Sequence, residues 1–408
     1  MNLFPLHHKI FTDSAGAWEA MLADIKLARK TIDFEQFYFT SDSVSEKFGR
    51  ALIERAENGV AVRCHFDAAG ARLFSNSKIY REMAGAGIQI KFFNWLSPFS
   101  KGFYKLAYFR NHRRLLLIDG TTTTGIAYHG GICIGEPVKK WSDLNVRISF
   151  AKIDDPQTAP TLGSVIEPPH PLDSMQKAFE EMWTRSEASK VSWTHMDLPD
   201  FTAEFNDRME KRRESDLDQK NLQKVSTFPA FMFVTQSPLP GLHRIYRLVA
   251  DQISKATKSI TITTPYFLPT HRIMRRLVAA KKRGVSVKVI IPQNTDHPIV
   301  DIGSKTYMNY FLENGIEIYF HPKMIHGKSV TVDGKWAMLG TMNFDNVSLK
   351  FNFESALISG DELFIQNLNN ALLELENQSD QLLLKDWEKR SMSEKIAEAI
   401  VWPFRKLL

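Results

Sequence analysis

The residues best suited to chemistry lie late in the chain: His326 and Lys328, then Asp333, then the run Gly340-Thr341-Met342-Asn343, then Glu354. An imidazole can attack or move protons near neutral pH, and an ammonium beside it neutralises an anion. His326 and Lys328, two apart on an extended segment, point to the same face, so both reach one phosphate. Asn343 opens the next turn and can bring an amide donor to the same oxygens. Glu354 is a candidate to hold the imidazole in one tautomer, as the third member of a nucleophile-orienting group does.

Strands and turns must position these groups, and the chain writes that frame twice. Residues 32–39 read IDFEQFYF and residues 260–267 read ITITTPYF, each an apolar, β-branched and aromatic run suited to a buried strand. A helical segment follows the first, with Val44, Phe48, Ala51, Leu52 and Ala56 on one face and Gly59 as its cap; the second copy uses Ile273, Leu277 and Val278 and ends at Gly284. Alternating strands come next at 60–66 and 285–291, then a further helix and strand ending at Phe93 and Phe320. This order predicts parallel β-α-β units and an α/β fold. Tyr38-Phe39 and Tyr266-Phe267, which close the two first strands, read equally as core or as lining of the site.

The halves differ in two places. Before His112 the chain inserts NWLSPFSKGFYKLAYFRN, where the second half has only HPKMI before His326. Residues from about 154 to 226 form a join, with a Pro-rich stretch, a helix carrying Met175, Phe179, Met182 and Trp183, and the charged run NDRMEKRRESDLDQK, read as a solvated helix or linker.

Composition sets the outer bounds. A chain of 408 residues exceeds the size at which single cores stop growing, about 250–300 residues, so two cores are expected. With 43% hydrophobic and 24% charged residues it is an ordinary globular protein. The net charge of +6 favours an anionic partner, and nucleic acid or acidic lipid would serve equally. Two cysteines, Cys64 and Cys133, argue against a disulfide framework or a cysteine-built zinc site. The N-terminal residues lack the pattern of a secretory signal and no segment holds 18 consecutive apolar residues, so a cytoplasmic, soluble or peripheral protein is expected. His7, His8, His170, His195 and His243 have no companions of this kind and are read as structural.

The pattern His-x-Lys, four residues, Asp, then Gly-Thr-x-Asn resembles the phospholipase D superfamily, and residues 326–343 match its motif position by position. The likeness runs over roughly 30–150 and 230–360 and is greatest to bacterial cardiolipin synthases, in TPYFLP, in DHPIV and in HGKSVTVDGKWAMLGTMNFDNVSLKFNFE. It implies two homologous α/β sandwich halves related by a pseudo-twofold, with one motif from each meeting at a single site. By position the first-half partners are His112, Arg114 and Asp119, then Gly130-Gly131-Ile132-Cys133. Asp143 lies 31 residues after His112 and Glu354 lies 28 after His326, so Asp143 is expected behind the first histidine. Asp119 and Asp333 are expected to brace the backbone of their motifs more than to move protons.

Three departures stand out: Arg114 where the superfamily has Lys, Cys133 where it has Asn, and eleven positions from Asp119 to Gly130 against seven from Asp333 to Gly340. Arginine keeps its charge but binds as a planar fork, and a thiol is a weak donor. The resemblance implies that one histidine attacks phosphorus while the other protonates the leaving alkoxide, with Lys328, Arg114 and Asn343 neutralising the equatorial oxygens and no metal or other cofactor required.

The expected divisions are a first half over 1–153, a connecting helix and linker over 154–226, a second half over 227–378 and an amphipathic tail over 379–408. Trp95, Leu96, Phe99, Phe103, Tyr104, Tyr108 and Phe109, interleaved with Lys101, Lys105 and Arg110, suit a bilayer interface or a lid. The tail, with Trp387, Ile396, Ile400, Val401, Trp402 and Phe404, suits an interfacial helix or docking on the core. The leading expectation is phosphatidyl transfer on phosphatidylglycerol, or phospholipase D hydrolysis, at an anionic membrane surface on the inner face of the cell membrane. The alternatives are a nucleic-acid phosphodiesterase and a catalytically impaired lipid-binding protein.

Overall fold

Alternating β-branched and aromatic runs supply the strands of two sheets, seen here in a computed structural model that describes residues 6–94, 109–120, 122, 124–150, 170–188, 229–238 and 243–404. In chain order the first set is β1 (Leu6–Asp13), β2 (Thr31–Gln36), β3 (Ala61–Asp67), β4 (Gln89–Phe93), β5 (Arg110–Asn111), β6 (Leu115–Ile118), β7 (Ile126–Gly130), β8 (Ser142–Phe150) and β9 (Glu187–Ala188). The second is β10 (Met232–Gln236), β11 (Ser259–Thr263), β12 (Ser286–Pro292), β13 (Glu317–His321), β14 (Ser329–Val332), β15 (Trp336–Gly340), β16 (Asn352–Ser359) and β17 (Asp380–Leu382).

The first sheet runs β1-β8-β7-β6-β2-β3-β4-β9 and the second β10-β16-β15-β14-β11-β12-β13-β17. Each strand has its counterpart at the same place, which is the duplication seen in the sequence. Within each sheet β2-β3-β4 and β11-β12-β13 are parallel, as β-α-β units require, and the other pairings along these two orders are antiparallel. The α/β class and the two homologous halves are therefore as expected.

Helices Ser14–Leu27, Ser43–Glu57 and Lys78–Gly85 cover the outer face of the first sheet, with Trp18, Phe48, Leu52 and Met83 in its core. Asp42 caps the second of these by accepting from the amides of Val44 and Ser45. Arg244–Lys255, His271–Lys282 and Met308–Glu313 cover the second sheet in the same way. The inner faces share a third core, in which Leu117, Val146, Met175 and Phe179 of the first half meet Phe233, Leu339, Leu357 and Leu368 of the second.

The helix Pro171–Arg185 belongs to this shared core and not to a connector. It leads into β9, which pairs with β4, as helix Glu362–Asn377 leads into β17 on β13. Pro171–Arg185 and β9 thus pack with the first sheet, because Leu172, Met175 and Phe179 bury an apolar stripe that the sheet needs covered. The charged run near residues 206–220 lies outside the described residues.

The longer spacing in the first motif is absorbed at a hairpin tip. Ile118 pairs with Ile126 and Leu115 with His129, while Val332 pairs with Trp336 and Ser329 with Leu339. The extra residues sit beyond Ile118, so Gly130 and Gly340 occupy matching positions.

Because the central core is built by both halves, they should unfold as one unit. Phe179→Ala, at a side chain with no exposure, should lower stability by about 3–5 kcal/mol while urea denaturation followed by far-UV circular dichroism and tryptophan fluorescence keeps a single coincident transition. Two separated transitions would show that the halves are independent.

Candidate active site

Each motif is stapled at one end and presented at the other. Asp119 and Asp333 take positive φ of 55° each, a region where Asp is among the few tolerated side chains. Asp119 accepts from the amides of Arg29, Lys30 and Thr31, and Asp333 from those of Thr257, Lys258 and Ser259. Both carboxylates tie a hairpin tip to the start of β2 or β11. They stand at the far ends of β6 and β14 from the histidines, about 13 Å for a four-residue strand.

The near ends cross between the halves. β5 pairs in parallel with β16 of the other half, and the His112 amide donates to the Phe353 carbonyl at 2.9 Å. Its counterpart is the bridge between Ser142 and Ile325, with the His326 amide donating to the Ser142 carbonyl at 2.7 Å. The acids consequently serve the opposite histidines. His112 Nδ1 lies 3.0 Å from both carboxylate oxygens of Glu354, and His326 Nδ1 lies 3.0 Å from Asp143 Oδ2 and 2.9 Å from the Gly131 carbonyl. The expected pairing of Asp143 with His112 and Glu354 with His326 is therefore exchanged, since each acid-bearing strand runs alongside the segment entering the other half's motif. Thr341 and Asn352 also donate to Glu354, and Asp143 Oδ1 accepts from the Leu144 amide.

Carboxylate acceptors at Nδ1 place the proton there and leave Nε2 as the reactive atom on both rings. Burial pushes His326 down to about 3, with Lys328 adding to the effect and Asp143 opposing it. His112 lies well below the ordinary imidazole value through burial, then through the charges of Arg114 and Lys328. Lys328, fully buried, falls to about 7 through burial and then the charge of Arg114. Glu354 rises to about 7 by burial, against the hydrogen bond from Thr341 and the charge of Arg114.

Arg114 and Lys328 are the two cations of the site. Arg114 donates to the His112 carbonyl at 2.9 Å, to His112 Nε2 at 3.0 Å and to Cys133 Sγ at 3.4 Å; Lys328 donates to the His326 carbonyl. Among the described residues neither lies within salt-bridge distance of a carboxylate, although burying a charge costs several kcal/mol or more unless it is paired. Asn343 is buried with its Oδ1 without a partner, and Asp345, raised to about 7 by burial, accepts from the Ser348 amide.

Aromatic rings flank the site. Phe37 meets the His112 ring edge-on at 4.9 Å and Trp141 lies 5.2 Å from the His326 ring. Tyr266 donates to Asp296 at 2.6 Å, whereas Phe39 and Phe267 are core. The first half adds a buried polar cluster: Asn111 donates through Nδ2 to Glu35 and toward His65, its amide donates to Asp67, and Arg110 donates to Asp67 at 3.2 Å. None of these was singled out from the sequence except Arg110, which was assigned to the aromatic arm. The arm itself, residues 95–108, lies outside the described residues, as does His195. His8 and His170 serve packing and a helix cap.

The tail divides too. Trp387 and Val401 are buried, while helix Met392–Val401 exposes Met392, Ile396 and Ile400, followed by Trp402. Among the described residues no helix is long and apolar enough to cross a membrane.

The close approach of the halves rests on Gly131. A Cβ there would stand 2.2 Å from Asp143 Oδ1 and 2.7 Å from the His326 carbonyl, so Gly131→Ala should pry Asp143 from the His326 ring. Turnover should fall by about 10²-fold or more, the scale for losing one well-placed polar contact, and the His326 Nδ1 proton resonance should shift or vanish. An unchanged resonance and rate would refute the contact.

The chain is 29% identical to the cardiolipin synthase of Oceanobacillus iheyensis over 96% of its own length and 73% of that protein's. It is 27% identical to cardiolipin synthase A of Proteus mirabilis, over 98% and 75%. The crystal structure of Haemophilus influenzae phosphatidylserine synthase superposes with a TM-score of 0.70 over 98% of this chain and 93% of that one at 12% identity, a likeness of fold. The profile of the family described as cardiolipin synthase, PLD-like domain, matches residues 21–128 and 249–375. More than half of the chain is matched, each matched stretch containing one histidine of the site, and the chain belongs to this family of phospholipase D-type enzymes.

Proposed function

We propose that the protein transfers a phosphatidyl group between phospholipid phosphodiesters through a phosphohistidine, with phosphatidylglycerol as donor. A second phosphatidylglycerol as acceptor gives cardiolipin, and water as acceptor gives phospholipase D hydrolysis. The observation that carries this reading is the pair of buried cations, Arg114 and Lys328, set beside two histidines whose Nδ1 atoms are held by carboxylates. A phosphodiester anion supplies the charge that this pocket is short of.

In the first step one Nε2 attacks phosphorus and the bond to the glycerol oxygen breaks, that oxygen taking a proton from Nε2 of the other ring. In the second, that ring removes a proton from the acceptor hydroxyl, whose oxygen attacks phosphorus and breaks the P–N bond. Glu354 and Asp143 offset the charge that develops on each ring. Arg114 and Lys328 stabilise the equatorial oxygens.

Lipid is favoured over nucleic acid by the names of the relatives and by the apolar stripe of Met392, Ile396, Ile400 and Trp402 beside the exposed Lys389 and Lys395. That combination suits an anionic membrane surface, with the protein peripheral on the cytoplasmic side. The superfamily mechanism needs no metal, and the cations at 114 and 328 take the place a metal would have at the phosphate.

Incubation with phosphatidylglycerol in anionic vesicles and a chelator, read by lipid mass spectrometry, should yield cardiolipin and glycerol, and His326→Ala should lower the yield at least about 10³-fold. No phospholipid product from the wild type, with tight vesicle binding retained, would make it a lipid-binding protein; cleavage of DNA instead would make it a nuclease.

The pH dependence follows from the two groups near 7. Lys328 acts as a cation, so its contribution is present below its pKa of about 7 and is lost as pH rises through it. Glu354 acts as a carboxylate, so its contribution is lost as pH falls through about 7. kcat/KM should peak near neutrality. Lys328→Arg keeps the charge and should move the alkaline limb up by about one pH unit or more while leaving the acid limb in place. An unmoved alkaline limb would assign that limb to another group.

A further inference from the structure

We infer that His326, from the second half, is the nucleophile, and that His112 is the group that protonates the leaving oxygen, because Arg114 occupies the Nε2 lone pair of His112 and, among the described residues, no group occupies that of His326. The assignment rests on the phosphodiester-transfer reading above. His326 donates through Nδ1 to two acceptors, Asp143 and the Gly131 carbonyl, which fixes the tautomer with Nε2 bare. Among the described residues Nε2 has no hydrogen-bond partner, and Lys328 is engaged with the His326 carbonyl. Burial keeps this ring neutral, as an attacking imidazole must be.

His112 is differently placed. Arg114 spans from the His112 carbonyl to its Nε2 and reaches Cys133 with the same nitrogen. A guanidinium is always charged and only donates, so the lone pair that would attack phosphorus is committed to it. Lysine at this position would end at the carbonyl, as Lys328 does; the second arm of the arginine fork is what reaches the ring.

A bound phosphodiester changes His112 in one direction. Its non-bridging oxygens compete for the guanidinium, and their charge offsets the cation that, after burial, holds the proton affinity of His112 down. With Glu354 on Nδ1, the ring then takes a proton at Nε2 and becomes the acid. His326 Nε2 forms the P–N bond as the P–O bond of the leaving alcohol breaks, and His112 Nε2–H supplies the proton to that oxygen. In the second step neutral His112 takes the acceptor hydroxyl's proton, so the proton count closes over the cycle.

The test uses a short-chain phosphatidyl-p-nitrophenol, whose leaving group departs without protonation, beside phosphatidylglycerol, whose glycerol does not. In His112→Ala a burst of one nitrophenolate per protein is expected, with a phosphatidyl adduct mapped to His326 by peptide mass spectrometry. Turnover of phosphatidylglycerol should fall about 10²–10⁴-fold, the usual share of a general acid. His326→Ala should give neither burst nor adduct. Rapid quench of the unmodified protein should place the adduct on His326, which keeps the assignment testable if a variant fails to fold. An adduct on His112, or a burst from His326→Ala, would overturn the assignment while leaving the transfer reading intact. A wild type inert to both substrates would overturn the two together.

Discussion

Everything at the active site depends on an exchange of strand ends between the halves. The hydrogen bonds from the His112 amide to Phe353 and from the His326 amide to Ser142 bring each acid-bearing strand beside the other half's motif. Without them neither imidazole has a carboxylate at Nδ1, and neither half has a complete proton-transfer pair. The exchange requires backbones to come very close, which is why Gly131 and Gly327 stand where they do: a Cβ on Gly327 would lie 2.7 Å from Leu144 Cγ. The shared core around Phe179, Leu339 and Leu368 holds the two frames in register so that this contact can form.

A second constraint is electrostatic. Two buried cations without a salt-bridge partner among the described residues weaken the empty pocket and favour its anionic complex. Lys328 at about 7 and Glu354 at about 7 register the same tension in opposite directions. Desolvation acts on both, and an anion between the histidines would favour the charged form of Lys328 while opposing that of Glu354.

The halves share a frame but have diverged in how they hold their histidines. In the second half the residue before His326 is Ile325, buried in the common core, and Ile290 lies on the neighbouring strand. In the first half the corresponding places hold Asn111 and His65, joined to Glu35. A polar cluster in place of an apolar contact is directional, so it fixes the angle of the segment carrying His112 rather than merely burying it. Arg114 extends that divergence to the reacting atom.

Local patterns carried much of this in the sequence. The repeated strand, helix and strand at 32–66 and 260–291 follow from side-chain periodicity, which neighbouring residues set. The types at 112, 114, 326 and 328 point to phosphate chemistry through the resemblance of their surroundings to the phospholipase D motif and through its duplication, one copy in each half. Helix Ser14–Leu27 was silent by the same logic, since small and apolar residues lie nearly all round it and leave no clear stripe. The place of Pro171–Arg185 in the shared core was hidden because its partner strands lie in two different halves. The pairing of acids with histidines could not be read at all: His112 and Glu354 are 242 positions apart, and the similar spacings within each half, 31 and 28 residues, suggest the local partner. Only the parallel contact of β5 with β16, a property of how two finished sheets meet, exchanges them. Whether Arg114 reaches its own histidine was likewise decided by packing, because a side chain's length is written in the sequence and its direction is not.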